Sequence, residues 1–150
     1  RDAIGLVFQF YNLVPTLTAR ENVMAATDIA ADPLDVTHVL EIVELADRMD
    51  QIPEQLSGGE QQLDAIARAK AKNPELLLCD VPTGALDFAT GKKVLRFLVD
   101  VLRTLHKTVL IITHNTAIAD LADRVVHLRS GEVVDIRTNA HPTPPEDITW

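Results

Sequence analysis

The sequence has 150 residues, 47% of them apolar, with eight prolines, six glycines, one cysteine and a net charge of −8. That length and apolar share suffice for the core of one domain, while the acidic balance argues against a nucleic-acid partner, whose phosphates it would repel. The lone Cys79 excludes an internal disulfide and, set in an apolar run, suits a reducing compartment; no stretch approaches the roughly 18–20 apolar residues of a membrane-spanning helix.

Arg1-Asp2-Ala3-Ile4 lacks the basic, apolar, small-residue order of a secretion signal. The short apolar run Ile4 to Phe8 predicts a buried strand. Only three residues precede it, so the natural protein is expected to begin earlier. A loop with Pro15 follows from Gln9 to Leu17. Thr18-Ala19-Arg20-Glu21 has the spacing of a capping box and predicts a helix from about Ala19 to Ala30. Asp32-Pro33 breaks the chain, and Val39, Ile42, Val43 and Ala46 recur at helical spacing, predicting a helix from about Leu34 to Ala46. Met49 to Gln55 is a linker. A third helix is expected to start at Ser57-Gly58-Gly59 and to end before Asn73-Pro74.

Leu76 to Cys79, ending in Asp80, predicts a strand buried on both faces. The stripe Val94, Leu95, Leu98, Val101, Leu102 and Leu105 predicts a helix from about Thr90 to His106. Val109 to Ile112 is the next strand, ending at Thr113-His114, with a short helix from about Thr116 to Leu121 beyond it. Val125 to Leu128, the turn Ser130-Gly131 and Glu132 to Ile136 read as a hairpin. The tail from Thr138 to Trp150, with three prolines, is expected to be extended on the surface. Strands alternating with helices argue for an α/β domain with a parallel sheet. Three strands stop at polar residues, Gln9, Asp80 and His114, and open parallel sheets bind ligands at the carboxyl ends of their strands.

Leu56-Ser57-Gly58-Gly59-Glu60-Gln61-Gln62 places a hydroxyl and two glycines at a helix start, where free N–H groups and the dipole favour an anion; the ordinary alternative is a serine N-cap followed by flexible glycines. Asp80 is a carboxylate held at a strand end, suited to magnesium beside substrate phosphates or, alternatively, to capping the next turn. His114 can donate to a phosphate or serve a structural role.

In order, strand-Gln, Leu-Ser-Gly-Gly-Glu, four apolar residues with Asp, Gly84-Ala85-Leu86-Asp87 and strand-Thr-His together resemble the ABC ATPase family, from Ile4 to at least Gly131. The resemblance implies a P-loop NTPase core over 1–16 and 72–137, a helical subdomain with the signature motif inserted at about 17–71, and a tail over 138–150. In the sheet it implies, the Gln9 strand lies at an edge, followed by the Asp80 and His114 strands, the place of a phosphate-loop strand, and then the Val125 strand. It also implies ATP and Mg²⁺ as ligands, a second nucleotide-binding domain as partner, and a membrane permease met through the loop after Gln9, on the cytoplasmic face of the inner membrane. By the same resemblance, Gln9 corresponds to the Q-loop glutamine near magnesium and the attacking water. Ser57, Gly58, Gly59 and Gln61 belong to the signature that closes on ATP held by the opposite subunit. Asp80 corresponds to the magnesium aspartate, Asp87 to the D-loop aspartate and His114 to the switch histidine. The stretch from Phe8 to Val23 is similar to ATPases of lipoprotein-release and macrolide-export transporters, and its apolar Phe10, Tyr11, Leu13 and Val14 suit either permease docking or packing on the following helix.

The chain departs from that family pattern in three ways. No Gly-x-x-x-x-Gly-Lys-Ser/Thr occurs; Thr90-Gly91-Lys92-Lys93 imitates its end but follows no strand, so the phosphate cradle and its lysine are missing and this chain alone is expected to bind ATP very weakly. Val81 stands where the family has the glutamate that orients the attacking water, so hydrolysis is expected to fail there. Leu63-Asp64 replaces an arginine and an apolar residue, and Lys70 replaces a leucine; Asp64 and Arg68 are spaced to pair at i,i+4 for about 0.2–0.5 kcal/mol. Three functions follow: an energy-coupling ATPase subunit, a hydrolysis-deficient partner that supplies its signature to a competent subunit, or a soluble ABC protein outside transport.

Overall fold

The computed structural model describes residues 3–150; Arg1 and Asp2, at the start of the core segment expected over 1–16, lie outside the described residues. The chain divides into two compact units, one ending at Ile112 and the other running Thr113–Trp150.

In the first unit, β1 (Ile4–Val7), β2 (Leu76–Asp80) and β3 (Thr108–Ile112) form a parallel sheet in the order β1-β2-β3. The expected order of the Gln9, Asp80 and His114 strands therefore holds. Parallel neighbours need crossovers. The first runs through α1 (Ala19–Thr27), α2 (Val36–Ile42) and α3 (Gly58–Ala71), the second through α4 (Phe88–Leu105). One face of the sheet carries Val7, Leu77 and Cys79, all buried in one core with Ile66, Ala69, Val94 and Leu98 of α3 and α4. Burial pushes the Cys79 thiol up to about 12, which keeps it protonated and unreactive.

The helices differ from expectation mainly at their ends. Helix α1 starts as expected, with Thr18 Oγ1 accepting from Glu21 N–H and Glu21 Oε2 accepting from Thr18 N–H at 2.8 Å. It stops at Thr27, three residues early, where the Thr27 hydroxyl donates back to the Met24 carbonyl. Helix α2 is capped by Asp35, which accepts from His38 N–H at 2.7 Å, and ends before Glu44, whose φ of 61° no helix can continue. Its expected last residue, Ala46, begins a separate 3-10 turn over Ala46–Arg48, and the linker expected over Met49 to Gln55 contains another at Pro53–Gln55. Helix α4 begins two residues earlier than expected because Asp87, not Thr90, caps it.

The second unit contains α5 (Thr116–Ala119) and an antiparallel hairpin of β4 (Arg124–Arg129) and β5 (Glu132–Thr138). Ser130 and Gly131 at its tip both have positive φ, the requirement of a tight two-residue hairpin turn. Among the described residues β4 pairs only with β5. The tail expected to be extended instead makes a 3-10 turn at Pro145–Asp147 and buries Pro145 and Ile148; Asn139 fastens its start by donating to the Ala119 and Ala122 carbonyls.

Candidate functional site

Val7 pairs with Cys79 across the parallel ladder, so Gln9 and Val81 leave the sheet at the same end, each two residues beyond that pair. Asp80 closes β2 in register with Ile112 and is exposed. Val81 N–H donates to the Ile112 carbonyl at 2.9 Å, and the Val81 carbonyl accepts from Gly84 N–H at 3.1 Å. Between those bonds Val81 adopts φ 44°, a left-handed conformation disfavoured for a β-branched residue. A Cβ at Gly84 would lie 2.6 Å from Val81 Cγ1 and 3.1 Å from Gln9 Nε2. Glycine is required there because the Gln9 amide and the Val81 side chain both press against it. Gln9, Val81 and Gly84 thus meet beside Asp80.

The serine–glycine turn is built on the start of α3. Ser57 caps the helix: its N–H donates to Glu60 Oε2 at 2.7 Å, which holds the Glu60 carboxyl below its usual range, and its Oγ accepts from Glu60 N–H at 3.3 Å. Both readings of this turn survive, since a capped helix start is also an anion-favouring one. A Cβ on Gly58 would sit 3.0 Å from the Tyr11 hydroxyl, and one on Gly59 would run into the Thr90 methyl. Thr90 is held by Asp87, which accepts from its hydroxyl at 2.6 Å and its N–H at 3.1 Å; these bonds lower the Asp87 pKa. Gln61 turns inward and donates to the Pro53 and Leu56 carbonyls at 2.9 and 3.2 Å, leaving only its oxygen for any other partner.

The loop after Gln9 is fastened at both ends, by Arg68, which the sequence pairs with Asp64 instead, and by Asn22, which no sequence motif marks. Arg68 of α3 donates to the Asn12 carbonyl at 2.6 Å and the Tyr11 carbonyl at 3.3 Å. Asn22 of α1, buried, accepts from Val14 N–H at 2.8 Å and donates to the Val14, Leu17 and Thr18 carbonyls. A polar residue on the same helical face as Ala19, Val23 and Ala26 was the available signal for Asn22.

The expected Asp64–Arg68 pair does not form. Arg68 is committed to the loop, Asp64 is 0% exposed, and neither of its carboxylate oxygens has a hydrogen-bond partner. Burial pushes the Asp64 pKa up to about 7, and the nearby Arg68 charge offsets only part of that. Lys70 is also buried; burial lowers its pKa, Asp100 partly restores it, and its ammonium lies over the Phe97 ring, 5.0 Å from the centroid.

His114 is exposed, two residues past the end of β3, in the second unit. Next to it Thr113 Oγ1 accepts from Asn115 N–H at 3.0 Å, and Asn115 caps α5. Among the described residues no three His, Cys, Asp or Glu side chains cluster to enclose a metal. A single exposed carboxylate such as Asp80 suits a hydrated divalent cation shared with an anion's oxygens.

The first 84 residues match the ABC transporter family model. An uncharacterized ABC transporter ATP-binding protein of Mycobacterium tuberculosis (strain ATCC 25618 / H37Rv) is 47% identical over 139 residues, covering 89% of this chain and 56% of that protein. The macrolide export ATP-binding/permease protein MacB of Brucella abortus is 40% identical over 154 residues, covering 97% of this chain and 23% of that protein. Among solved structures, the ATP-binding cassette MJ0796, dimeric in a post-hydrolysis state with ADP and Pi, superposes with a TM-score of 0.80 at 38% identity, covering 91% of this chain and 63% of that one. The chain thus spans about half the length of the M. tuberculosis relative, and its parallel sheet is that of a P-loop NTPase. With the family model matching residues 1–84 and relatives of 40–47% identity, the chain belongs to the ABC transporter family, among its ATP-binding proteins.

Proposed function

We propose that this chain is the larger part of an ATP-binding cassette that closes on ATP as a dimer beneath a membrane permease, and that its own site hydrolyses ATP poorly. The observation that carries this reading is Val81, which follows Asp80 at the sheet end beside Gln9. Members of the family are ATPases, and hydrolysis needs an acceptor that orients water towards the γ-phosphate. Valine has no acceptor, and its left-handed backbone is held between the Ile112 carbonyl and the Gly84 N–H.

The other residues suit their parts of a nucleotide site whose phosphate loop this sequence does not contain. The Asp80 carboxylate can hold magnesium through water, and the ion would neutralise phosphate charge. The Gln9 amide packs against Gly84, close to the Val81 side chain. The capped start of α3 presents Ser57, Gly58 and Gly59 as an anion-facing turn for the opposite subunit's nucleotide. Phe10, 81% exposed, and Val14 give the loop after Gln9 an apolar surface for a permease. No helix among the described residues is long and apolar enough to cross a membrane, so in this reading the permease is a separate segment or subunit.

Phosphate release from ATP, measured on the whole gene product and its Val81→Glu variant, tests the proposal. The variant is expected to be faster by about 10²–10⁴-fold with little change in ATP affinity. Equal rates in the two forms would mean that another group orients the water.

A further inference from the structure

We propose that Tyr11 and Arg68 are positioning residues that tie the loop after Gln9 to the Ser57–Gly59 turn of the same chain, so that the two move as one body. The functional weight of this link rests on the cassette reading above; its geometry does not.

Tyr11 and Asn12 are consecutive non-glycine residues with φ of 59° and 53°. Left-handed backbone at two successive L-residues is unfavourable and persists only when the surroundings hold it. Arg68 provides that hold. Its two guanidinium nitrogens donate to the carbonyls of those same two residues, in charge-assisted bonds made by a half-buried side chain. With the Tyr11 main chain fixed there, its ring runs back towards the start of α3, where the hydroxyl lies against Gly58. Gly58 and Arg68 are ten positions apart, or about 15 Å along the helix. Tyr11 and the Arg68 side chain together span that distance, so the loop touches α3 at its first residue and at its eleventh. Asn22 fixes the other end of the loop to α1.

Two consequences follow. A push on exposed Phe10 reaches the signature turn through the next residue rather than through the sheet. Gly58 is also a glycine for a reason beyond anion approach: a methyl there would press on the Tyr11 hydroxyl. Lysine cannot replace Arg68, because a single ammonium cannot reproduce the fork that meets two successive carbonyls.

Incorporation of 3-fluorotyrosine into the whole gene product, with the Tyr11 resonance assigned by its loss in Tyr11→Phe, gives a fluorine signal reporting on this contact with no nucleotide needed. In the native chain the resonance is expected well away from its position in urea. Arg68→Ala should move it most of the way to the urea position, Arg68→Lys part of the way, and Gly58→Ala should shift it from the other end of the ring. Far-UV circular dichroism should stay native in each. Should Arg68→Ala unfold the chain, the Arg68→Lys and Gly58→Ala shifts decide the matter. A resonance unmoved by Gly58→Ala and by whichever Arg68 variants stay folded would overturn the link. Failure of ATP binding in the whole gene product would leave the fluorine result standing and strike only the cassette reading.

Discussion

Asp64 lies in the core of the helical segment with no partner for either carboxylate oxygen, and its pKa is about 7 against an ordinary 3.8. The folded state therefore holds a proton on this group across pH 4 to 7 that the unfolded state has released. Stability falls as pH rises through that window and levels off above it. A shift of that size corresponds to about 4 kcal/mol in full, and to roughly 2–3 kcal/mol between pH 5 and pH 8. Asp64→Val, close in volume and without the charge, should be more stable at pH 8 by a few kcal/mol and lose that part of the slope. Urea unfolding of both forms at the two pH values measures it, and parallel pH profiles would show that Asp64 is solvated. The sequence revealed that Asp64 and Lys70 break the pattern of their helix. It did not reveal where Arg68 goes, because its partners lie 56 and 57 positions away in a loop of unusual backbone.

The strands were legible because apolar runs bounded by polar residues have few other readings, although of the polar residues read at their ends only Asp80 closes its strand, Gln9 and His114 standing two residues past β1 and β3. Helix ends were less legible. Thr27 bonding back to Met24 and Glu44 turning left-handed are local choices that the apolar spacing of α1 and α2 does not encode. The burial on both faces expected of β2 holds on one, where Leu77 and Cys79 are buried, while Leu76 and Leu78 on the other are only half-buried. Leu77 is buried against α3 and α4, whereas Ile4 and Leu6 on β1 and Leu110 on β3, at 47%, 45% and 47% exposed, point to the other face, which the described residues leave largely open. The two faces should respond differently. Leu77→Ala should cost about 2–5 kcal/mol through the cavity it leaves, and Leu110→Thr no more than about 0.5 kcal/mol. Similar losses for both in denaturant titrations would mean that the outer face is covered in solution.

At the scale of the whole molecule, the order of motifs along the chain identified the family before any coordinate did, because five short signatures in sequence leave little room for another fold. The sequence could not show how the motifs touch. Gln9, Val81 and Gly84 share one spot, Gly58 lies against Tyr11 and Gly59 against Thr90; these contacts follow from loop geometry. In the proposed reading, the whole cassette binds ATP and closes on it but lacks the group that sends water to the γ-phosphate. A site of that kind should close and stay closed. The most direct measurement is the mass of the whole gene product by light scattering after Mg-ATP is added, followed over hours beside Val81→Glu. A nucleotide-dependent dimer is expected to persist in the native protein and to decay in Val81→Glu as phosphate is released. A native protein that stays monomeric in ATP, or whose dimer decays as fast as that of Val81→Glu, would contradict that reading.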